Sequence, residues 1–144
     1  MKIALIIGTT LGGAEAVADE LQPVLESAGH EIHYGLDFDP QALLEAPFWL
    51  LVTSTHGAGE LPENLLPFAH WLETQPDLSQ HRYALCGIGD SSYDTFCGAL
   101  DLLDPALRSS GATPLVDKIR IDVQQIDLPE DQALSWLTGW LDRI

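Results

Sequence analysis

Glycine and hydroxyl residues are concentrated in residues 8–15, which read Gly-Thr-Thr-Leu-Gly-Gly-Ala-Glu and run directly into a stretch with helical periodicity. Glycines let a backbone approach a ligand closely, hydroxyls donate hydrogen bonds, and a helix N-terminus offers unpaired N–H groups with a partial positive charge. The segment therefore predicts an anion site that suits a phosphate without a cation. Taken alone, such a turn is more often an ordinary tight turn.

Two common phosphate motifs are missing from the sequence. It has no Gly-Lys-Ser/Thr of a P-loop, and its glycine spacing does not match the dinucleotide fingerprint. NTP hydrolysis and NAD binding therefore have little support.

Two further loops each place a flat ring among small residues. Residues 53–64 read Thr-Ser-Thr-His-Gly-Ala-Gly-Glu-Leu-Pro-Glu-Asn, and residues 87–98 read Gly-Ile-Gly-Asp-Ser-Ser-Tyr-Asp-Thr-Phe-Cys-Gly. Two rings on facing loops can hold a planar heteroaromatic ligand, while small residues leave backbone groups free to bond its edge. The three loops together predict one site for a ligand with a phosphate and a flat ring.

The elements that must position these loops alternate between strand and helix along the chain. Short apolar runs typical of strands buried on both faces are separated by helix-like stretches, which predicts a parallel sheet. Strands are predicted at 2–7, 31–34, 48–53, 83–88 and 118–123. Helices are predicted at 14–28, 63–73, 100–110 and 129–141, within a total of about five.

This pattern predicts an α/β fold, a doubly wound sandwich with helices on both faces of a five-stranded parallel sheet in the order 2-1-3-4-5. The 144 residues form a single domain, 1–144, in this prediction. In such sheets ligands bind at the carboxyl ends of the strands around the switch point. The loops after strands one, three and four lie there, and they are the three loops described above.

The three loops resemble the phosphate loop and the two ring-flanking loops of flavodoxins and of the FMN domains of diflavin reductases. The resemblance covers essentially the whole chain and is strongest to the MioC-type short-chain flavodoxins, which share Thr-Leu-Gly-Gly-Ala-Glu, Ser-Thr-His-Gly-Ala-Gly and Tyr-Asp-Thr-Phe-Cys-Gly-Ala. It implies FMN as cofactor, with Tyr93 and His56 on the two faces of the flavin ring. The cofactor-binding residues it implies are Thr9, Thr10, Leu11, Gly12, Gly13, Ala14, Ser54, Thr55, His56, Gly57, Gly89, Asp90, Tyr93, Thr95, Phe96 and Cys97.

The same resemblance implies an electron carrier rather than an enzyme, with no catalytic residues of its own because the flavin carries the chemistry. It assigns the backbone carbonyl of Gly57 as acceptor for the flavin N5–H. It also implies a flavodoxin/ferredoxin-type NADP reductase as electron donor and an acceptor enzyme, for which biotin synthase is a candidate. We expect a low reduction potential because Glu60, Glu63, Asp90 and Asp94 are near the ring in sequence.

The sequence is strongly acidic, with 22 acidic and 6 basic residues and a net charge of −16. Nucleic acid is therefore not expected as a partner, and the charge favours a monomer. The acidic surface could steer basic partners or only confer solubility. The first apolar run is too short for a membrane span or a signal peptide, so we expect a cytoplasmic protein.

The cysteines and histidines show no metal motif. Cys86 and Cys97 lack C-x-x-C spacing, so we expect reduced thiols with packing roles. The histidines form no zinc-type cluster, and His30, His33 and His81 are expected at the surface.

Three alternatives compete with an electron carrier. A small FMN-dependent NAD(P)H oxidoreductase acting on quinones or nitro compounds is the strongest, although little chain remains for a nicotinamide site. A flavin-free interaction module also stays open. A signalling receiver domain is disfavoured because Gly8-Thr9 and Thr53-Ser54 stand where its acidic residues are required.

Overall fold

A computed structural model describes residues 1–10, 12–55, 59–92 and 95–144. Its sheet is parallel and runs in the order β2-β1-β3-β4-β5, with β6 also paired to β4. The strands are β1 (Lys2–Gly8), β2 (Glu31–Gly35), β3 (Phe48–Ser54), β4 (Arg82–Gly89), β5 (Thr113–Pro114) and β6 (Ile119–Asp122). The predicted fold class and strand order are confirmed.

The helices are α1 (Gly13–Ser27), α2 (Pro40–Glu45), α3 (Leu66–Glu73), α4 (Gly98–Ser109) and α5 (Pro129–Thr138). Short 3₁₀ turns at Glu63–Leu65 and Leu141–Arg143 precede α3 and follow α5. Helix α2 was not predicted from its periodicity, yet Asp39 caps it by accepting the Ala42 N–H at 3.3 Å, and Pro40 stands at its first turn. None of the helices in the described part of the chain is long and apolar enough to cross a membrane.

The fifth position of the sheet is divided into two short strands. Both β5 and β6 pair with β4, the first at Arg82 and Tyr83 and the second from Cys86 to Gly89. The predicted strand at 118–123 corresponds to β6, while β5 was missed because two residues are too few to give a period.

Strand side chains alternate between two apolar layers. Ile3, Leu5 and Ile7 of β1 pack in the layer covered by α1 and α5. Ala4 and Ile6 pack in the opposite layer, with α2, α3 and α4. Burial on both faces is why the strands read as continuous apolar runs. Because the strands are parallel, the loops that follow them emerge at the same carboxyl edge.

Next to the split strand, the buried carboxylate of Asp104 joins α4 to the edge of the sheet. It accepts hydrogen bonds from the Tyr83 hydroxyl, from Lys118 Nζ at 2.8 Å and from Arg108 Nε at 3.2 Å. Burial raises the pKa of this carboxyl, but the three donors more than offset that effect, so the pKa lies below its ordinary value of 3.8. Asp104 therefore stays ionised and links α4 to β4 through Tyr83 and to the segment before β6 through Lys118.

The expectation that His81 lies at the surface was wrong. Its side chain is buried, its ring centroid lies 5.1 Å from that of Trp49, and its Nε2 lies 3.3 Å from the Leu44 carbonyl oxygen. The apolar ring of Trp49 on β3 covers it, a contact between residues 32 positions apart that local sequence does not reveal.

Candidate functional site

The loop between β1 and α1 presents backbone N–H groups at a helix N-terminus. Gly12 caps α1 with φ of +88°, a left-handed conformation that favours glycine. The first bond of the helix runs from the Ala16 N–H to the Gly12 carbonyl at 3.0 Å. The N–H groups of Gly13, Ala14 and Glu15 therefore lie ahead of the helical ladder, where they can receive an anion.

The side chain of Thr9 shapes this loop rather than pointing freely outward. Its Oγ1 accepts the Gly12 N–H at 2.9 Å, and its own backbone N–H donates to Asn64 Oδ1 at 2.9 Å. Thr10 is exposed, whereas the Ala14 side chain is fully buried in the core, so only the backbone of Ala14 is available to a ligand. Leu11 lies outside the described residues.

A cavity of about 460 Å³ opens at the carboxyl ends of β3 and β4, a size typical of small-molecule sites. Seven of the predicted site residues line it, and the structure thus brings together parts of two loops about 40 residues apart. They are Ser54, Thr55, Gly89, Asp90, Thr95, Phe96 and Cys97.

Ile88 and Val123 also line this cavity and were not among the predicted residues. Ile88 ends the predicted strand at 83–88 and also stands in the loop segment 87–98, but it was not assigned to the ligand. Val123 follows β6, and its N–H continues the ladder by donating to the Gly89 carbonyl at 2.9 Å. The rule that sites lie beyond strand carboxyl ends could have identified Val123, because it directly follows β6.

The loops after β3 and β4 touch through backbone. A Cβ built on Gly98 would lie 3.0 Å from the Gly59 Cα, which shows how closely the two chain segments approach. Thr55 adds a hydrogen bond, since its Oγ1 accepts the Ala99 N–H at 3.3 Å. The two loops are therefore in direct contact next to Thr55, which also lines the cavity.

The Arg120 side chain stabilises the loop after β4 by bonding to its backbone. Arg120 on β6 donates to the Cys97 carbonyl at 3.1 Å and the Phe96 carbonyl at 3.4 Å, and it pairs with Asp101. Cys97 itself adopts a left-handed φ of +53° at the start of α4. Its thiol is free and buried, and burial raises its pKa to about 11, so it is a neutral packing group.

Two carboxylates carry negative charge at the cavity: Asp90 lines it, and Asp122 directly precedes the lining residue Val123. Asp90 accepts the Ser92 hydroxyl at 2.6 Å, the Ser92 N–H at 2.9 Å and the Gln124 amide at 3.0 Å. These bonds lower the pKa of Asp90, and hydrogen bonds from Ser91 and Gln124 lower the pKa of Asp122. Both carboxylates are ionised at neutral pH.

The loop between β1 and α1, residues 8–15, is called the phosphate loop below. It adjoins the cavity but is a separate part of the surface. None of the described residues between 9 and 14 lines the cavity. Strands β1 and β3 are neighbours, with Gly8 opposite Thr53, and Ser54 Oγ lies 3.4 Å from the Gly8 carbonyl, to which it donates. The predicted ring-facing residues His56 and Tyr93, and the predicted acceptor Gly57, lie outside the described residues. The low reduction potential expected from nearby acidic residues likewise stays a prediction.

A doubly wound parallel sheet with two loops converging at its carboxyl edge, beside a helix N-terminus, defines a class of α/β proteins that bind ligands at the switch point. Comparison with known proteins narrows the class. The flavodoxin family model matches residues 5–136, and the chain belongs to the flavodoxin family.

Three relatives illustrate the similarity. Protein MioC of Escherichia coli (strain K12) is 46% identical over 144 residues, which span 97% of this chain and 96% of that protein. A cysteine-to-serine mutant of flavodoxin from Pseudomonas aeruginosa superposes with a TM-score of 0.88 at 33% identity, covering 97% of this chain and 96% of that one. The sulfite reductase [NADPH] flavoprotein alpha-component of Aliivibrio fischeri is 31% identical over 147 residues, but these are only 24% of its length.

Flavodoxins bind FMN and carry electrons, and this chain is accordingly an FMN-binding electron carrier rather than an enzyme. The chemical groups of the site suit both the phosphate and the flavin ring of FMN. Free N–H groups at the start of α1 suit a phosphate, and a cavity lined by apolar, hydroxyl and backbone groups suits a flat ring with a polar edge.

Proposed function

We propose that this protein is a cytoplasmic, monomeric carrier of low-potential electrons, which it receives from a flavodoxin/ferredoxin-type NADP reductase and delivers to an acceptor enzyme such as biotin synthase. The main support for the binding site in this proposal is the cavity at the carboxyl ends of β3 and β4, which is lined by seven of the predicted cofactor-binding residues. Ser54 lines the cavity, and its Oγ donates to the carbonyl of Gly8, where the phosphate loop begins. In this proposal one elongated ligand therefore occupies both.

In this proposal the phosphate is held by the backbone N–H groups of Gly13, Ala14 and Glu15, with the Thr10 hydroxyl beside them. Phe96 and Val123 of the cavity would pack against the flavin ring and exclude water, and Thr55 and Gly89 would offer polar groups to its edge. Bound FMN supplies one- and two-electron transfer. His56, Tyr93 and the Gly57 carbonyl are assigned to the ring by family resemblance.

Asp90 and Asp122 contribute two functions to this site. Their ionised carboxylates fix the loop after β4, and their charge disfavours adding negative charge to the ring, which lowers its reduction potential. With a net charge of −16, the surface also attracts a basic face on a partner, an effect that weakens as salt is added.

Titration of purified apoprotein with FMN, followed by quenching of flavin fluorescence, tests the binding site. Saturable 1:1 binding supports the site, whereas a protein that stays colourless and binds no FMN supports a flavin-free interaction module. Reduction of the FMN-loaded protein is then followed with NADPH alone and with NADPH plus a flavodoxin reductase. Fast reduction that needs the reductase supports a carrier, and fast reduction by NADPH alone supports an NAD(P)H oxidoreductase instead.

A further inference from the structure

Asn64 is the only asparagine in the sequence, and both polar atoms of its side-chain amide bond to backbone groups. It lies half-buried in the 3₁₀ turn that precedes α3. Its Oδ1 accepts the Thr9 N–H at 2.9 Å. Its Nδ2 donates to the Ile7 carbonyl at 2.6 Å and to the Leu36 carbonyl at 3.0 Å.

The bonds that Asn64 makes to Thr9 and Ile7 reproduce the pattern of a parallel strand pairing. In a parallel ladder, one residue donates to the carbonyl of residue i−1 and accepts the N–H of residue i+1 on its neighbour. Asn64 makes this pair of bonds around Gly8. Strand β2 pairs with β1 only as far as Ile6 opposite Gly35, so the Asn64 amide takes the place of a β2 residue beyond the end of that strand.

The bonds continue from Asn64 into the phosphate loop. Asn64 fixes the backbone of Thr9, and Thr9 Oγ1 in turn accepts the N–H of Gly12, the residue that caps α1. The N–H groups available to an anion follow directly after Gly12. A buried backbone N–H or carbonyl left without a partner is unfavourable, so losing the amide would release the loop end from the sheet.

We propose that Asn64 is a positioning residue for the cofactor phosphate: it holds the start of the phosphate loop against the sheet, so that the protein prefers phosphorylated flavin over flavin without a phosphate. This inference rests on the proposed FMN site. Asn64 itself touches the loop and not the ring cavity, so its effect is confined to the phosphate end of the ligand.

The test is the ratio of dissociation constants for riboflavin and FMN, measured by fluorescence titration of apoprotein. Riboflavin lacks the phosphate and reports the ring cavity alone. In Asn64→Leu we expect FMN binding to weaken at least about tenfold, or about 1.4 kcal/mol, with riboflavin binding unchanged within about twofold. Asn64→Ser, whose smaller side chain leaves room for water, is a milder variant that is expected to shift the ratio in the same direction.

The matched control is Gln75→Leu, which removes a side-chain amide that donates to Ser109 Oγ at 3.4 Å beyond the far end of α3. It should leave both affinities unchanged. Urea unfolding of each apoprotein confirms that the variants are folded. Equal weakening of riboflavin and FMN by both Asn64 variants, or no weakening of either, overturns the positioning role while leaving the FMN site intact. A wild-type protein that binds no FMN overturns both.

Discussion

The contact between Gly59 and Gly98 should set the width of the ring cavity, and Gly98→Ala tests it. A Cβ at position 98 would lie 3.0 Å from the Gly59 Cα and 3.3 Å from its carbonyl oxygen. Both are backbone atoms, so no side-chain rotation can relieve the overlap. The two loops must separate by at least about 0.4 Å to reach an ordinary contact.

The size of the effect follows from two opposing contributions. Overpacking of a close contact destabilises by about 1–3 kcal/mol. Alanine in place of glycine stabilises a helix by up to about 1 kcal/mol, although by less at the first residue of α4, and this offsets part of the penalty. The net penalty is about 1–2 kcal/mol. Because the two loops of the apoprotein can separate to relieve the strain, we expect this penalty in ligand binding, as about a 5–30-fold loss of affinity.

The assay is fluorescence titration of apoprotein with FMN and with riboflavin, and both affinities should fall by the same factor because the ring is common to them. Gly13→Ala is the matched control for riboflavin. Gly13 is likewise the first residue of a helix, and a Cβ there would meet nothing within 4 Å. If Gly98→Ala binds riboflavin as tightly as wild type, the backbone contact does not set the cavity and the reasoning is refuted.

Three further predictions concern the rest of the molecule. Asp104→Asn should lower the free energy of unfolding by about 2 kcal/mol in urea at pH 7. Because folding lowers the pKa of this carboxyl below 3.8, its contribution to stability is present above that pH and is lost as the pH falls below it. The free energies of unfolding of the two proteins should therefore converge on acidification. A difference that stays constant with pH would contradict the ionic role. Trp140→Phe removes a buried indole N–H that has no partner among the described residues, and should change stability in urea by less than about 1 kcal/mol, whereas Trp140→Ala should cost about 3–5 kcal/mol. Electron transfer from a reductase should slow several-fold between about 0.05 and 0.5 M NaCl; a rate independent of salt would assign the acidic surface to solubility alone.

The fold could be predicted from the sequence because the apolar runs and the glycine- and hydroxyl-rich loops that define it are local patterns. Apolar runs such as 48–53 are too short for helices and too continuous for half-exposed strands, which indicates a sheet covered on both faces. Glycine and hydroxyl residues after three of these runs marked the loops at the carboxyl edge. Thr55 and Phe96, which the family resemblance implies as cofactor-binding residues, line the cavity between two of these loops.

Other features depended on contacts between distant parts of the chain. The sequence by itself determined the alternation of strands and helices, the parallel sheet with its two apolar faces and the glycine- and hydroxyl-rich loops at its carboxyl edge, since each follows from periodicity and residue type over short stretches of chain. Only the tertiary structure decided that His81 is buried against Trp49, that Arg120 holds the loop after β4, and that Asn64 completes the edge of β1. Each of these depends on which groups the fold brings together from distant parts of the chain. For Asn64 and Arg120 the partners are backbone groups left unpaired where strands and helices end, and these exist only once the elements have been brought side by side.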